Sequence, residues 1–342
     1  MNDLTPARLR DLKRESTLRP FDLAAQLGLP EAALIEAELG LGVTRIDATL
    51  ARLIPAVQAL GEVTALTRNR SCVIEKIGTY NNFHDGEHAA MTLDAEIDLR
   101  MFPRHWVHAY AVETEGENGL RRSVQVFDAA GDAVHKVHLR ASSDLAAWDA
   151  LKRDLALPDQ AALSDFTPRA PVEGPRLNEA HAETLRREWA AMTDTHQFNT
   201  LVRRLKMNRL GAYHLAGGPH VRRLDVAANQ ALFDQVQART MQVILFVGNM
   251  GCIEIHSGSF GNLRPMGPWL NVMDPRFNLH LRADHVAEMW QVEKPTKRGM
   301  AVSVEAFDAE GALTYQCFGM RADKGGDPQL WADLVNGLPG AA

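Results

Sequence analysis

The chain is written twice. Residues 69–80 (NRSCVIEKIGTY) lie over residues 249–260 (NMGCIEIHSGSF), and residues 123–131 (SVQVFDAAG) over residues 303–311 (SVEAFDAEG), at one offset of 180 residues. That offset pairs Asn69 with Asn249, Cys72 with Cys252, Gly78 with Gly258, Phe127 with Phe307, Asp128 with Asp308 and Gly131 with Gly311. A D-x-x-x-W pair, Asp144/Trp148 and Asp327/Trp331, follows at 183, as small insertions after a duplication would leave it. A repeat this long is not a solenoid unit, so each copy is expected to close its own core and the two to meet across one interface. Ligands favour such interfaces, and the positions where the copies differ should mark the site.

The local pattern predicts an α+β fold: a tandem duplication of two similar domains, each an antiparallel sheet with flanking helices, and a ligand cleft between them. Residues 4–60 carry helical spacing. From about Val63 the pattern turns to short β runs at 72–77, 95–101, 107–112 and 123–127, bounded by Gly, Asn and Asp. Hairpin turns are expected at DAAGD (128–132) and DAEGA (308–312). A closing helix is expected over 143–155, capped by Ser143 or Asp144, with Leu145, Trp148, Leu151 and Leu155 on one face. Pro158, Pro168, Pro171 and Pro175 support neither helix nor central strand, so residues 157–180 read as a linker between domains 1–156 and 181–342. The second copy is expected to open with a helix around 185–205, then repeat the strand series over 241–321 and close with a helix at 328–334.

A chain of 342 residues, 46% of them hydrophobic, can bury two cores without a staple. Its net charge of −6, with no run of Lys or Arg long enough to track a phosphate backbone, argues against nucleic acid as a partner. The polar opening MNDLTPARLRDLKRES and the lack of any long apolar stretch predict a cytoplasmic protein with no membrane insertion. Cys72 and Cys252 stand at equivalent positions in separate copies, which argues against a disulfide between them, and Cys317 has no partner left.

Among candidate functional residues, His196 lies in EWAAMTDTHQF (188–198), read as helical and close to Trp189, Met192 and Phe198. A lone helical histidine is usually a packing or surface residue. An imidazole offered from a helix is nevertheless what a haem iron takes as axial ligand, and Met192 and Phe198 are apolar types suited to flank a porphyrin. Alternation puts Ile97, Leu99 and Met101 on one strand face and Glu96, Asp98 and Arg100 on the other; the second copy repeats this with Phe277, Leu279 and Leu281 against Asn278, His280 and Arg282. The polar faces are either solvated or line a shared cleft, and Arg100, whose counterpart is His280, breaks the symmetry. His84 and His88 have H-x-x-x-H spacing but sit among turn residues and read as a loop, and His105 and His108 lack a third ligand. Lys294 to Lys297 (KPTK) reads as a basic turn, either solvated or carboxylate-binding. Nucleotide, hydrolase and zinc-protease motifs are missing from the sequence.

Taken together, EWxAMTDxHQF (188–198), DLRxF (98–102), FVGNxGC (246–252), WxNV (269–272), KPTKxG (294–299) and the duplicated FDxxG turns resemble the HemS/ChuS family of bacterial cytoplasmic hemin-utilisation proteins, over essentially the whole length. The resemblance implies two antiparallel-sheet domains with one haem b between them. It makes His196 the axial ligand of the iron and Arg100 the distal residue. It gives Arg209, Lys294 and Arg321 the propionates, and Phe246 falls within one of its motifs. It also implies a role in haem uptake and iron acquisition, either as a degrading enzyme with an external electron donor, for which haem is ligand and substrate, or as a carrier. A reductase, an acceptor oxygenase and a haem importer are the implied partners. The family commonly has YGQR where this chain has Phe318, Gly319, Met320 and Arg321, so one hydroxyl is lost at that place.

Overall fold

The computed structural model describes residues 4–116, 119–161 and 163–341. The chain forms two compact units. The first takes the chain up to Arg68, Ile74–Arg169 and Gly248–Glu254; the second takes Asn69–Val73, Ala170–Val247 and the chain from Ile255 onward.

In the first unit, helices α1 (Pro6–Glu15), α2 (Pro20–Leu27) and α3 (Glu31–Glu36) precede β1 (Val43–Ile46) and α4 (Leu50–Ala59). The strands continue with β2 (Val63–Arg68), β3 (Cys72–Gly78), β4 (Phe83–His84), β5 (Ala90–Thr92), β6 (Asp98–Met101), β7 (His108–Gly116), β8 (Gly119–Phe127) and β9 (Ala133–Leu139), and α5 (Leu145–Leu155) closes the unit. The second unit starts with α6 (Ala182–Ala190), α7 (Gln197–Arg204), α8 (Arg209–Ala216), β10 (Val221–Leu224) and α9 (Ala228–Ala238). It continues with β11 (Val243–Gly248), β12 (Cys252–Gly258), β13 (Leu263–Met266), β14 (Trp269–Asp274), β15 (Phe277–Arg282), β16 (Val286–Thr296), β17 (Gly299–Asp308) and β18 (Leu313–Gly319), and ends with α10 (Pro328–Asn336). Among the described residues the strands pair antiparallel, and the order repeats. Neighbours run β1-β7-β8-β9-β2 in one unit and β10-β16-β17-β18-β11 in the other, each unit adding a three-strand meander, β4-β5-β6 or β13-β14-β15.

Specific side chains explain why the repeated motifs recur. Asp128 Oδ1 accepts from the backbone N–H of Ala130 and Asp132, and Asp308 Oδ1 from those of Glu310 and Ala312. The glycine that follows, Gly131 or Gly311, takes a positive φ of 76° or 90°, which a side chain would resist. Asn69 and Asn249 each accept two backbone N–H bonds with Oδ1, from Ser71 and Cys72 or from Gly251 and Cys252. Each amide then donates to a strand carbonyl, Thr314 for Asn69 and Val134 for Asn249, themselves 180 residues apart. Asp144 caps α5 through the N–H groups of Ala146 and Ala147, and Trp148, Leu151 and Leu155 are buried beneath it. The first core gathers Leu53, Ile54, Ala65, Val126 and Trp148; the second gathers Trp189, Phe198, Tyr213, Trp290 and Val292. Cys72, Cys252 and Cys317 are free and buried.

Four local expectations need correction. Residues 43–46 form a strand inside the stretch read as helical, because Val43–Ile46 pairs with β7. The strand read at 95–101 begins at Asp98. The helix read over 185–205 is two helices, broken between Ala190 and Gln197. Lys294 is not in a turn: Lys294, Pro295 and Thr296 extend β16, and the turn falls at Lys297 and Arg298.

Candidate functional site

His196 is the N-cap residue of α7, at the end of the six-residue break after α6, rather than inside a helix. Its side chain is 93% exposed. Three anchors hold the break in place. Trp189, buried at the end of α6, donates Nε1–H to the Glu293 carbonyl at 2.8 Å, and Lys297 N–H donates to the Thr193 carbonyl at 2.9 Å. Phe198, in the first turn of α7, packs on Trp189 with ring centroids 4.6 Å apart. A mostly exposed imidazole thus projects from a segment tied down on both sides. Its Nδ1 lies 2.7 Å from Asp194 Oδ1, and among the described hydrogen bonds none involves Nε2.

Met192 and Phe198 do not open toward solvent. Both are buried in the core under this segment, where they support the loop, because the helix break turns His196 outward and them inward. Lys294 and Arg209 are likewise engaged. Glu305 is fully buried, and its Oε1 accepts from Lys294 Nζ and Ser303 Oγ, both at 3.0 Å. Its Oε2 accepts from Arg209 Nη1 at 2.9 Å and from the Tyr213 hydroxyl at 2.7 Å. Burial by itself would raise the Glu305 pKa, but Lys294 and Arg209, with the Tyr213 hydroxyl, hold it down to about 2. Burial pushes the Lys294 ammonium down to about 8 against the attraction of Glu305. Two cations facing one carboxylate leave a positive excess under α7, and Lys294 Nζ lies 4.8 Å from the Phe198 ring centroid. At the offset of 180 the first copy has Thr114 for Lys294 and Gln125 for Glu305, so this charged cluster belongs to the second copy alone.

The sheet register extends the site. Directly opposed residues of an antiparallel pair point to one face. Lys294 opposes Ala301; Ser303 opposes Phe318, which opposes Ile244; Glu305 opposes Gln316, which opposes Phe246. One face therefore carries the buried cluster at one side and Ile244, Phe246 and Phe318, all half-buried, at the other. Phe246 and Phe318 meet edge to face with centroids 5.5 Å apart. The first copy has Thr64 and His138 where this strip has Ile244 and Phe318. The strip makes the missing tyrosine hydroxyl intelligible: Phe318 has an apolar neighbour.

Arg100 lies on β6 of the first unit, half-buried, with Nη1 donating to the Asp98 carboxylate and, at 3.0 Å, to the Leu99 carbonyl. The alternation expected there holds, since Leu99 and Met101 are fully buried and Asp98 and Arg100 are not. Arg321 is exposed and forked onto Asp323, with Nε and Nη2 donating at 2.9 and 3.0 Å. His84 lies on the short strand β4 rather than in a loop. The sequence reading missed Asp194, Tyr213, Glu305 and Ile244. The last two had a signal, for both differ from the first copy at the constant offset.

The model of the haemin-degrading HemS/ChuX domain matches twice, over residues 28–155 and 206–338. The chain belongs to this HemS/ChuX family. The hemin transport protein HmuS of Yersinia pestis is 35% identical over 317 residues, covering 92% of this chain and 91% of its own length. The solved structure of holo-PhuS, a heme-binding protein from Pseudomonas aeruginosa, is similar with a TM-score of 0.93 and 38% identity, covering 98% of this chain and 100% of that one. ChuS, described as an E. coli heme oxygenase, is similar with a TM-score of 0.86 and 30% identity, covering 97% of this chain and 98% of that one. The HemS/ChuX family is a haem-binding, haemin-utilisation family, and the α+β architecture is that of these solved members. Among the described residues no helix is long and apolar enough to cross a membrane.

The second-copy residues fit a haem. An exposed imidazole suits the iron, an apolar strip suits the macrocycle, and a positive excess suits its carboxylates.

Proposed function

We propose that this protein binds one haem b in bacterial haem uptake, with His196 as axial ligand of the iron, and degrades it oxidatively to release the metal. The observation that carries the reading is the His196 imidazole, exposed on an anchored segment with none of the described hydrogen bonds on its Nε2. Arg100 is assigned to the other side of the iron, as the sequence resemblance implies. The positive charge of an arginine would favour an anionic ligand there. Ring opening draws its electrons and dioxygen from outside the chain, which makes a reductase a partner. What the protein supplies is the imidazole, a fixed positive charge and apolar burial of the ring. Lys294, buried against Glu305, reaches a propionate only by giving up that partner, whereas Arg209 is partly exposed with Nη2 turned away from Glu305 and Arg321 is already at the surface.

A second reading has the protein carry intact haem from an importer to a separate oxygenase. The curated relative's description as a hemin transport protein favours it. One experiment separates the two: a spectral time course of the hemin-loaded protein with a reductant and catalase. Loss of the Soret band with a defined ring-opened product supports degradation. A stable band, with transfer of haem to an added acceptor, supports the carrier. His196→Ala is expected to weaken hemin binding and alter the Soret band. Arg100→Ala is expected to keep binding while changing the pH titration of the iron's opposite ligand, and identical titrations would remove Arg100 from the site.

A further inference from the structure

Asp194 turns its carboxylate toward His196. One oxygen, Oδ1, lies 2.8 Å from the backbone N of His196 and 2.7 Å from its ring Nδ1. An ionised carboxylate only accepts, so Nδ1 carries the proton in this contact, and a neutral ring held this way keeps its lone pair at Nε2. The Asp194 backbone is itself held. Gln197 Oε1 accepts from the N–H groups of Thr193 and Asp194 at 2.9 and 3.3 Å, and Gln197 N–H returns a bond to the Asp194 carbonyl at 3.1 Å. The reciprocal bonds fix the loop before any ligand arrives. Lys297 secures its far side through Thr193. The corresponding helix of the first copy, α2, has Arg19 at its N-cap and Thr17 two residues before it, so acid and imidazole occur together only in the second.

We propose that Asp194 is a positioning residue that sets the tautomer and ring orientation of His196, leaving Nε2 directed outward as a stronger donor to iron. The inference rests on the reading of His196 as axial ligand. A carboxylate accepting the far N–H of a ligating imidazole raises the basicity of the bound nitrogen, and loss of such a partner typically lowers metal affinity about 10- to 100-fold.

The test uses the full-length protein in two states. Without hemin, ¹⁵N-resolved spectra of the histidine rings should show His196 as the Nδ1–H tautomer in the wild type and in Asp194→Asn, whose amide oxygen still accepts. Asp194→Ala should show the mixed tautomers of a free imidazole. An unchanged tautomer in Asp194→Ala overturns the proposal. With hemin, Asp194→Ala should lose about 10- to 100-fold in affinity, and its reduced form should show a lower iron–imidazole stretching frequency and a higher midpoint potential. Asp194→Asn should fall between it and the wild type, and Asp194→Glu should recover part of the effect. Wild-type frequency and potential in Asp194→Ala, where His196→Ala does change the hemin spectrum, overturn the positioning role and leave the axial ligand standing. A hemin spectrum unchanged in His196→Ala removes the ligand and the proposal with it, whatever the tautomer data show.

Discussion

Glu305 is the residue on which the second unit's interior charge depends. It accepts four hydrogen bonds, from Lys294, Ser303, Arg209 and Tyr213, and none of its surface reaches water. Glu305→Gln leaves two cations facing a neutral amide, and breaking a buried pair from one side costs about 3–5 kcal/mol; urea unfolding of the two proteins at neutral pH measures it. The pH dependence follows from the sign of the shift. The folded-state pKa of Glu305, about 2, lies below its ordinary value of 4.5, so its contribution is complete above about 4.5 and is lost as the pH falls toward 2. The stability difference between wild type and Glu305→Gln should therefore shrink across that window, and a constant difference would contradict the assignment. Lys294 works oppositely. Its folded pKa of about 8 lies below 10.5, so its buried charge is a cost below pH 8 that is relieved as the pH rises toward 10.5.

At the scale of elements, the break between α6 and α7 decides more than either helix does. Uninterrupted helical spacing would have put His196 within two turns of Trp189 on a continuous cylinder; the break instead sends Trp189 and Phe198 into the core and His196 outward. The helices that close each unit are more conventional. Asp144 satisfies two of the free N–H groups of α5 and Asp327 one at α10, where Leu330 donates. Asp144→Ala should lower the stability of the first unit by about 1 kcal/mol, within the range of 0.5–2 for such caps, as read by thermal unfolding, with hemin affinity unchanged. The apolar strip of β11 and β18 predicts the converse phenotype. Phe246→Ala should weaken hemin binding more than it destabilises the fold, because the side chain is only half-buried in the free protein.

At the scale of the whole molecule, the duplication accounts for both the order and the asymmetry of the structure. Two runs of strands in one order, two D-x-x-G hairpins and two capped closing helices follow from the repeated text. The N-x-x-C turns follow as well, and Asn249→Ala should cost about 1–3 kcal/mol from its lost bonds to the Arg68 and Val134 carbonyls; chemical denaturation of the full chain tests it. The sequence by itself determined the α+β class, the repeat, the alternation of Asp98 to Met101 and a cap for α5 at Ser143 or Asp144, of which the structure takes Asp144. These are local, written in periodicity, turn chemistry and an offset that any reader can measure. Only the tertiary structure decided that Lys294 is buried on a strand against Glu305, that Met192 and Phe198 face the core, and that Ile244, Phe246 and Phe318 share a face with the charged cluster. Each of these depends on which strands pair and in which register, and on where a helix stops. Pairing brings residues more than ten positions apart in sequence onto one surface, and that information lies in long-range contacts rather than in any window of the chain.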